Sequence, residues 1–397
     1  MKRTTLAATM FIIGIIIAGS VYGAYNLLYF SASPPPSSSP TPSPTVSPQP
    51  TPISTPSPTQ TPSPSSNITG GSSHLPSEVP GPTVITVVDG AGRNVTLTVP
   101  VERIVSINSG LTEMLCALGC QNRLVGRDKS SNMPPSVLNV PIVGDNSYLP
   151  NVELLLELRP DVIFADSMLP YNSVAMQQLE AAGIPIFIAD PIDPEPTKHS
   201  DLTVVDFSCN LISKLALIVG NEAKATEYIN YVQYYNNLVK ERIATLNQSQ
   251  RPKVMLEWYQ PYNTFVTPGL DQAGGINIAE NQTVYAPVLS PEFVVEQNPA
   301  IIIRMSSSSN HNATDFIAER NEILNRAALA GVDAIKNGRV YICDWDIRGG
   351  ISSVVGYLYW AKWCQPTLFA DIDPTAIHAE LYQKFFGTTV QGTFAYP

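Results

Sequence analysis

The chain has 397 residues, of which 33 are acidic and 23 basic, and 44% are hydrophobic; that length accommodates two domains with extensions. Between Thr4 and Ser77 there is no Asp, Glu, Lys or Arg, so the net negative charge sits on residues 78–397. An acidic body argues against nucleic acid as a partner, because binding phosphates takes clustered cations that displace counterions.

Lys2 and Arg3 precede an apolar segment from Leu6 to Phe30. Its roughly 25 residues, at about 1.5 Å each, would cross a hydrocarbon core of about 30 Å, and the two cations place the N-terminus in the cytoplasm and the body outside. A cleaved signal peptide and an uncleaved anchor both fit. The run is longer than the usual signal core of about 7–15 residues, which favours the anchor, and no cysteine follows it to carry a bacterial-type lipid. Residues 31–82 are Pro-, Ser- and Thr-rich, which predicts a semi-rigid polyproline II linker with no core of its own. Sequons at Asn67, Asn94, Asn247, Asn281 and Asn312 are compatible with a glycosylated cell-surface protein.

The folded body is expected from Thr83. VITVVD and NVTLTVP flank Gly90-Ala91-Gly92 and read as a hairpin. RIVSI, RLVG, DVIFA and IPIFIA then read as short buried strands, alternating with helices at LTEMLCALG, NVELLLEL and SVAMQQLEAAG. That alternation predicts a parallel, doubly wound sheet over residues 83–200. Residues 201–250 carry only helical periodicity, with one long helix expected from an Asn221 cap to Leu246, a rod of roughly 39 Å. From residue 251 to 397 the alternation resumes in KVMLEW, AIIIRM and GRVYICD. Two helices close the chain, ISSVVGYLYWAKWC and, starting at Pro374, TAIHAELYQKFFG.

One unit occurs twice. NVELLLELRPDVIFAD (151–166) and SPEFVVEQNPAIIIRM (290–305) align at an offset of 139, sharing Glu153 with Glu292, Glu157 with Glu296, Pro160 with Pro299 and Ile163 with Ile302. Each has a side-chain N-cap, Asn151 or Ser290, about two turns of helix, a proline stop and a buried strand. Cys116, Cys120, Cys209, Cys343 and Cys364 have no zinc spacing and read as small buried hydrophobes. His74, His199, His311 and His378 are scattered, so no bare-metal site is readable.

The phrases VERIVSINSGLTEMLCALGCQNRLVG, NVELLLELRPDVIFA, LEAAGIPIFIAD, QAGGINIAEN, LSPEFVVEQNPAIII, AIKNGRVYICD and DIDPTAIHAELYQKFFG resemble, in this order, the substrate-binding proteins of ABC importers for cobalamin and ferric siderophores. The resemblance covers residues 83–397. It implies two doubly wound α/β lobes joined by a single long helix and a ligand held between them without covalent attachment. It also implies one glutamate per lobe, at positions matching Glu153 and Glu292, that docks on arginines of the permease, which works with its ATPase. No GxSxG, phosphate loop, clustered His/Glu or Cys–His motif is present, so no enzymatic activity is expected.

Ligands of open α/β sheets meet the carboxyl ends of strands. That rule nominates Asn108, Ser109, Arg127, Asp128, Ser147, Tyr148 and residues 166–168 in the first lobe. In the second it nominates Trp258, Tyr259, Tyr262, Tyr285, Arg304, Trp345 and Arg348. Similar proteins carry aromatic or basic residues in several of these loops, which puts Tyr148, Tyr285, Trp345 and Arg348 first. Aromatic walls suit a bulky metal chelate and arginines pair with carboxylate or catecholate oxygens, so a ferric siderophore is expected, with a corrinoid as the alternative. Two other classes compete: a chelatase-like enzyme using Asp344, Asp346 and His311, and a structural cell-surface protein.

Overall fold

The computed structural model describes residues 81–190, 202–258, 260–267, 269–284, 286–307 and 312–397. The expected anchor (1–30), nearly all of the linker (31–82), and Tyr259, Tyr285 and His311 lie outside them. Among the described residues no helix is long and apolar enough to cross a membrane.

Strands β1 (Thr83–Val88) and β2 (Asn94–Val99) form the predicted hairpin, paired from Thr83↔Val99 to Val88↔Asn94. Its turn is tied by Asp89, which accepts from the Arg93 backbone N–H (2.9 Å) and from the Arg93 guanidinium (2.8 Å). Gly90 lies against the backbone at Ala189, where a Cβ would meet the carbonyl oxygen at 2.0 Å, so only glycine lets the hairpin tip seat there.

The first sheet contains β3 (Ile104–Ser106), β4 (Leu124–Arg127), β5 (Val162–Ala165) and β6 (Ile186–Ile188) in the order β4-β3-β5-β6, all parallel. The second contains β7 (Lys253–Glu257), β8 (Ile276–Asn277), β9 (Ile301–Ser306) and β10 (Val340–Asp344) in the order β10-β9-β7-β8, with β11 (Ala395–Tyr396) antiparallel on the β10 edge. Taking strands in chain order, both sheets run second-first-third-fourth, so β3 and β5 correspond to β7 and β9. The helices of the first lobe are α1 (Ser109–Ala117), α2 (Val152–Leu158) and α3 (Ser173–Ala181). After the interlobe helices come α6 (Gly269–Gln272), α7 (Pro291–Gln297), α8 (Ala313–Leu324), α9 (Asp333–Lys336), α10 (Ser353–Cys364) and α11 (Pro374–Phe386).

Residues 201–250 hold the expected long helix, α5 (Glu222–Ile243), preceded by a second helix, α4 (Val204–Val219), the two turned at Gly220 with φ 73°. The 22 residues of α5 make a rod of about 33 Å. Asn221 precedes α5 without capping it; its side-chain amide donates to the Leu118 carbonyl at 2.7 Å, pinning the turn to the first lobe. Thr203 and Asp206 form a capping box at the start of α4.

Each sheet has a private core on one face: Val105, Leu155, Ile163 and Leu179 in the first lobe, and Met255, Val294, Ile302 and Phe316 in the second. A third cluster runs without a break from Ile104 and Leu115 through Tyr228 and Val232 to Leu256, Trp360 and Leu381. The lobes therefore share a core, and separating them would expose it.

Candidate functional site

A strand order of this kind reverses direction between its first and third strands, and the crevice beyond their carboxyl ends is where ligands meet such sheets. In the first lobe the reversal lies between β3 and β5, and a hydrogen bond spans it. Asn108 caps α1 with its Oδ1 (Leu111 N–H, 3.1 Å) and donates from Nδ2 to Asp166 Oδ2 at 2.9 Å. The other Asp166 oxygen accepts from the Met168 N–H (2.9 Å). Ser147 donates to the Ile107 carbonyl, and Asn172 donates to the Tyr148 carbonyl at 2.8 Å. Asn108, Tyr148 and Asp166, nominated from three separate loops, thus form one polar rim over buried Ser147; Asn172 joins them, and no strand-end rule would have found it.

Arg127 does not belong to that rim. It is only 5% exposed, and its guanidinium donates to the carbonyls of Val137 (3.0 Å), Asp128 (3.1 Å), Ser131 (3.1 Å) and Leu138 (3.3 Å). Its role is to hold the 128–138 loop, and its nomination as a ligand contact is corrected accordingly. Beneath the rim, Ser131 donates to the buried Asp128 carboxylate, and Thr112 lies 2.8 Å from both the Ser106 and Ser131 hydroxyls.

In the second lobe the corresponding reversal, between β7 and β9, is spanned by an ion pair. Glu257, fully buried, accepts from Arg304 (2.8 Å), from Arg326 (2.6 and 3.0 Å) and from the Tyr262 N–H (2.6 Å). Such a buried carboxylate persists only because its oxygens are met by cations and donors. Arg304 is thereby committed to the protein. Beside it Trp258, Phe265 and Trp345 form a triangle of rings with centroids 5.5, 6.0 and 5.8 Å apart, in edge and tilted geometries that aromatic pairs favour. Trp258 and Trp345 are half-buried and Phe265 is buried behind them. Phe265 escaped sequence reading because it lies in an irregular loop. Arg348 stacks its guanidinium over Trp360 at 4.4 Å from the ring centroid. The loop carrying Trp345 and Arg348 is seated at Gly356, where a Cβ would meet the Ile347 carbonyl at 2.1 Å.

The two repeated helices match in detail. Asn151 and Ser290 each cap with a side-chain oxygen, to Leu154 N–H and Phe293 N–H, both at 3.1 Å. Both helices end in a left-handed residue, Arg159 (φ 45°, ψ 62°) and Asn298 (φ 45°, ψ 65°). From cap to proline the burial pattern is the same at every position: Leu155/Val294 and Pro160/Pro299 are buried, while Glu153/Glu292, Leu156/Val295 and Glu157/Glu296 are exposed. Two residues before the caps, Leu149 and Val288 are likewise both exposed. Each lobe thus presents carboxylates flanked by apolar side chains. Among the described residues none of the four glutamates enters an ion pair. A helix leading into a parallel strand runs against the sheet, so its N-terminus lies at the carboxyl edge; both glutamates are therefore at the carboxyl edge of their sheets.

Of the groups considered for acid–base chemistry, Asp344 is buried and caps the Asp346 N–H at 2.9 Å. All five cysteines are free and buried. Burial pushes the Cys116, Cys343 and Cys364 thiols up to about 12, and those of Cys120 and Cys209 to about 11. Among the described residues no three His, Cys, Asp or Glu side chains are grouped to hold a metal ion. The sequons at Asn94, Asn247, Asn281 and Asn312 are exposed.

The family described as periplasmic binding protein matches residues 104–346. An uncharacterized ABC transporter substrate-binding lipoprotein of Bacillus subtilis, YvrC, is 25% identical over 297 residues, spanning 72% of this chain and 87% of its own. A cobalamin-binding protein of Halobacterium salinarum is 25% identical over 261 residues, 62% of this chain and 66% of that protein, just under two thirds of its length. Among solved structures, molybdate-bound MolA of Haemophilus influenzae superposes with a TM-score of 0.64 at 20% identity, over 77% of this chain and 99% of its own, a likeness of fold.

Proposed function

The chain belongs to the periplasmic binding protein family, and from that membership we propose that it is the substrate-binding component of an ABC importer whose ligand is a corrinoid. The observation that carries the choice of ligand is the commitment of two candidate arginines. Arg127 is consumed by backbone carbonyls and Arg304 by Glu257, while Arg348 stacks on the face of Trp360. The expectation of an anionic ferric siderophore rested on those cations. On this reading the ligand meets an aromatic wall, Trp258 and Trp345, from the second lobe and a rim of carboxylate and amide groups, Asp166, Asn108 and Asn172, from the first. That pairing suits a large macrocycle with apolar faces and peripheral amides, and it opposes a multiply anionic chelate. The relative named cobalamin-binding agrees with this reading. A ferric siderophore is the second reading, favoured by the position of Arg348 in the same short loop as Trp345.

Titrating residues 81–397 with cobalamin and, separately, with ferric catecholate and hydroxamate chelates while following tryptophan fluorescence separates the two. Saturable quenching by cobalamin is the expected result, and a response to iron chelates alone would transfer the assignment to the second reading. The exposed pads around Glu153 and Glu292 are the surfaces by which the loaded protein meets the permease. Residues 1–30 and the Pro-rich linker tether the body outside the membrane. N-terminal sequencing of membrane-pelleted protein should read Met1-Lys2-Arg3; a start beyond Phe30 would show cleavage.

A further inference from the structure

Gly110, in the first turn of α1, and Gly350, in the loop after β10, come from opposite lobes and meet backbone to backbone. A Cβ on Gly110 would lie 2.9 Å from the Gly350 nitrogen and 3.1 Å from its Cα; one on Gly350 would lie 2.8 Å from the Gly110 Cα. Carbon atoms in contact settle near about 3.5–4.0 Å, so neither position accepts a side chain while the lobes stay where they are. Gly350 is also required by its own backbone, with φ 59°. Gly110 has no positive φ and sits in a helix, where alanine is the better helix former. Its glycine is explained by the opposing lobe alone.

The surroundings make this a joint rather than a chance approach. One turn along α1, buried Glu113 accepts from Tyr382 Oη of α11 at 2.9 Å. Tyr228 of α5 donates to the Ile351 carbonyl at 3.0 Å, and Ser352 Oγ lies 3.2 Å from His378 Nε2. The walls of the site rise from this point. Asn108, on the rim, is two residues before Gly110, while Arg348 and Trp345 are two and five residues before Gly350.

We propose that the Gly110–Gly350 contact is a backbone stop at the floor of the cleft, and that these two glycines are positioning residues that fix the gap between the polar rim and the aromatic wall. The consequence for ligand binding rests on the function proposed above; the stop itself does not.

Spin labels placed at Glu157→Cys and Glu296→Cys, both exposed and one in each lobe, report the interlobe distance by electron–electron double resonance. Gly110→Ala should push the floor apart by about 1 Å, a displacement that grows with distance from the contact, and Gly110→Val should push it further. Tyr382→Phe removes the neighbouring hydrogen bond without adding bulk and should leave the distance unchanged. Unchanged distances in folded Gly110→Ala and Gly110→Val, or a widening in Tyr382→Phe equal to theirs, would overturn the stop. The ligand arm reads separately. Cobalamin affinity should fall by about tenfold in Gly110→Ala, and undiminished affinity in a widened variant would refute the positioning role. Widened lobes in a protein that binds no chelate even as wild type would leave the stop standing and remove the functional reading instead.

Discussion

Asp128 and Arg127 are neighbours at the end of one strand, and they show what the carboxyl-end rule can and cannot settle. The rule correctly finds the edge of the sheet, but the direction of a side chain at that edge depends on the loop that folds over it. Here the 128–138 loop turns back over Arg127, and the cation is spent on its carbonyls. Asp128 is buried beneath the same loop. Desolvation pushes its carboxyl up to about 6, helped by the charge of Asp166 and resisted by donors from Ser131 and Ser130. A carboxyl raised in the folded state binds its proton more tightly there than in the unfolded chain. Its contribution is fully present below the unfolded pKa of about 3.9 and is lost as pH rises through about 6. Asp128→Asn, which stays neutral, should match wild type near pH 4 and exceed it at pH 8 by about 2–3 kcal/mol, measured by urea unfolding. A difference that does not change between pH 4 and 8 would contradict this origin of the shift.

At the scale of elements, what was legible was what is local. Caps, proline stops and helical periodicity all act within a few residues, so the repeated helix–Pro–strand unit stood out from the chain alone. The same offset of 139 also reaches Leu149 with Val288 and Leu156 with Val295, but their importance lies in being exposed, which periodicity does not report. Illegible were the contacts between segments far apart in the chain. Asn221 reads as a helix cap and instead binds Leu118; Glu257 draws Arg326 from 69 residues away. The α4–α5 hairpin is another such case. Asp206 accepts from Lys240 (2.8 Å), Asn236 (2.8 Å) and Gln233 (3.0 Å). Burial alone would raise this carboxyl, but the Lys240, Gln233 and Thr203 donors outweigh it and hold the pKa at about 2. A depressed carboxyl stabilises the fold above the unfolded pKa of about 3.9 and loses that contribution as pH falls through about 2. Asp206→Asn should therefore cost about 1–2 kcal/mol at pH 7 once solvent screening at Lys240 is allowed for. The deficit should shrink towards pH 2 in denaturant titrations, and a deficit that persists undiminished there would assign the cost to packing instead.

Taken whole, the molecule places two matched acidic and apolar pads at the carboxyl edges of two lobes that share one core. On the docking role proposed for these pads, the partner permease offers two equivalent surfaces with cations. In vesicles containing the partner permease, Glu153→Ala combined with Glu292→Ala should abolish uptake while leaving ligand affinity within about twofold of wild type. Uptake at the wild-type rate would remove the docking role. The central claim is that a chelate is held against the Trp258–Trp345 wall, and calorimetric titration of the folded body with cobalamin tests it most directly. Saturable one-to-one binding, weakened by about tenfold or more in Trp345→Ala, is the predicted result. A flat isotherm with cobalamin and with every iron chelate, or binding that Trp345→Ala leaves untouched, would contradict it.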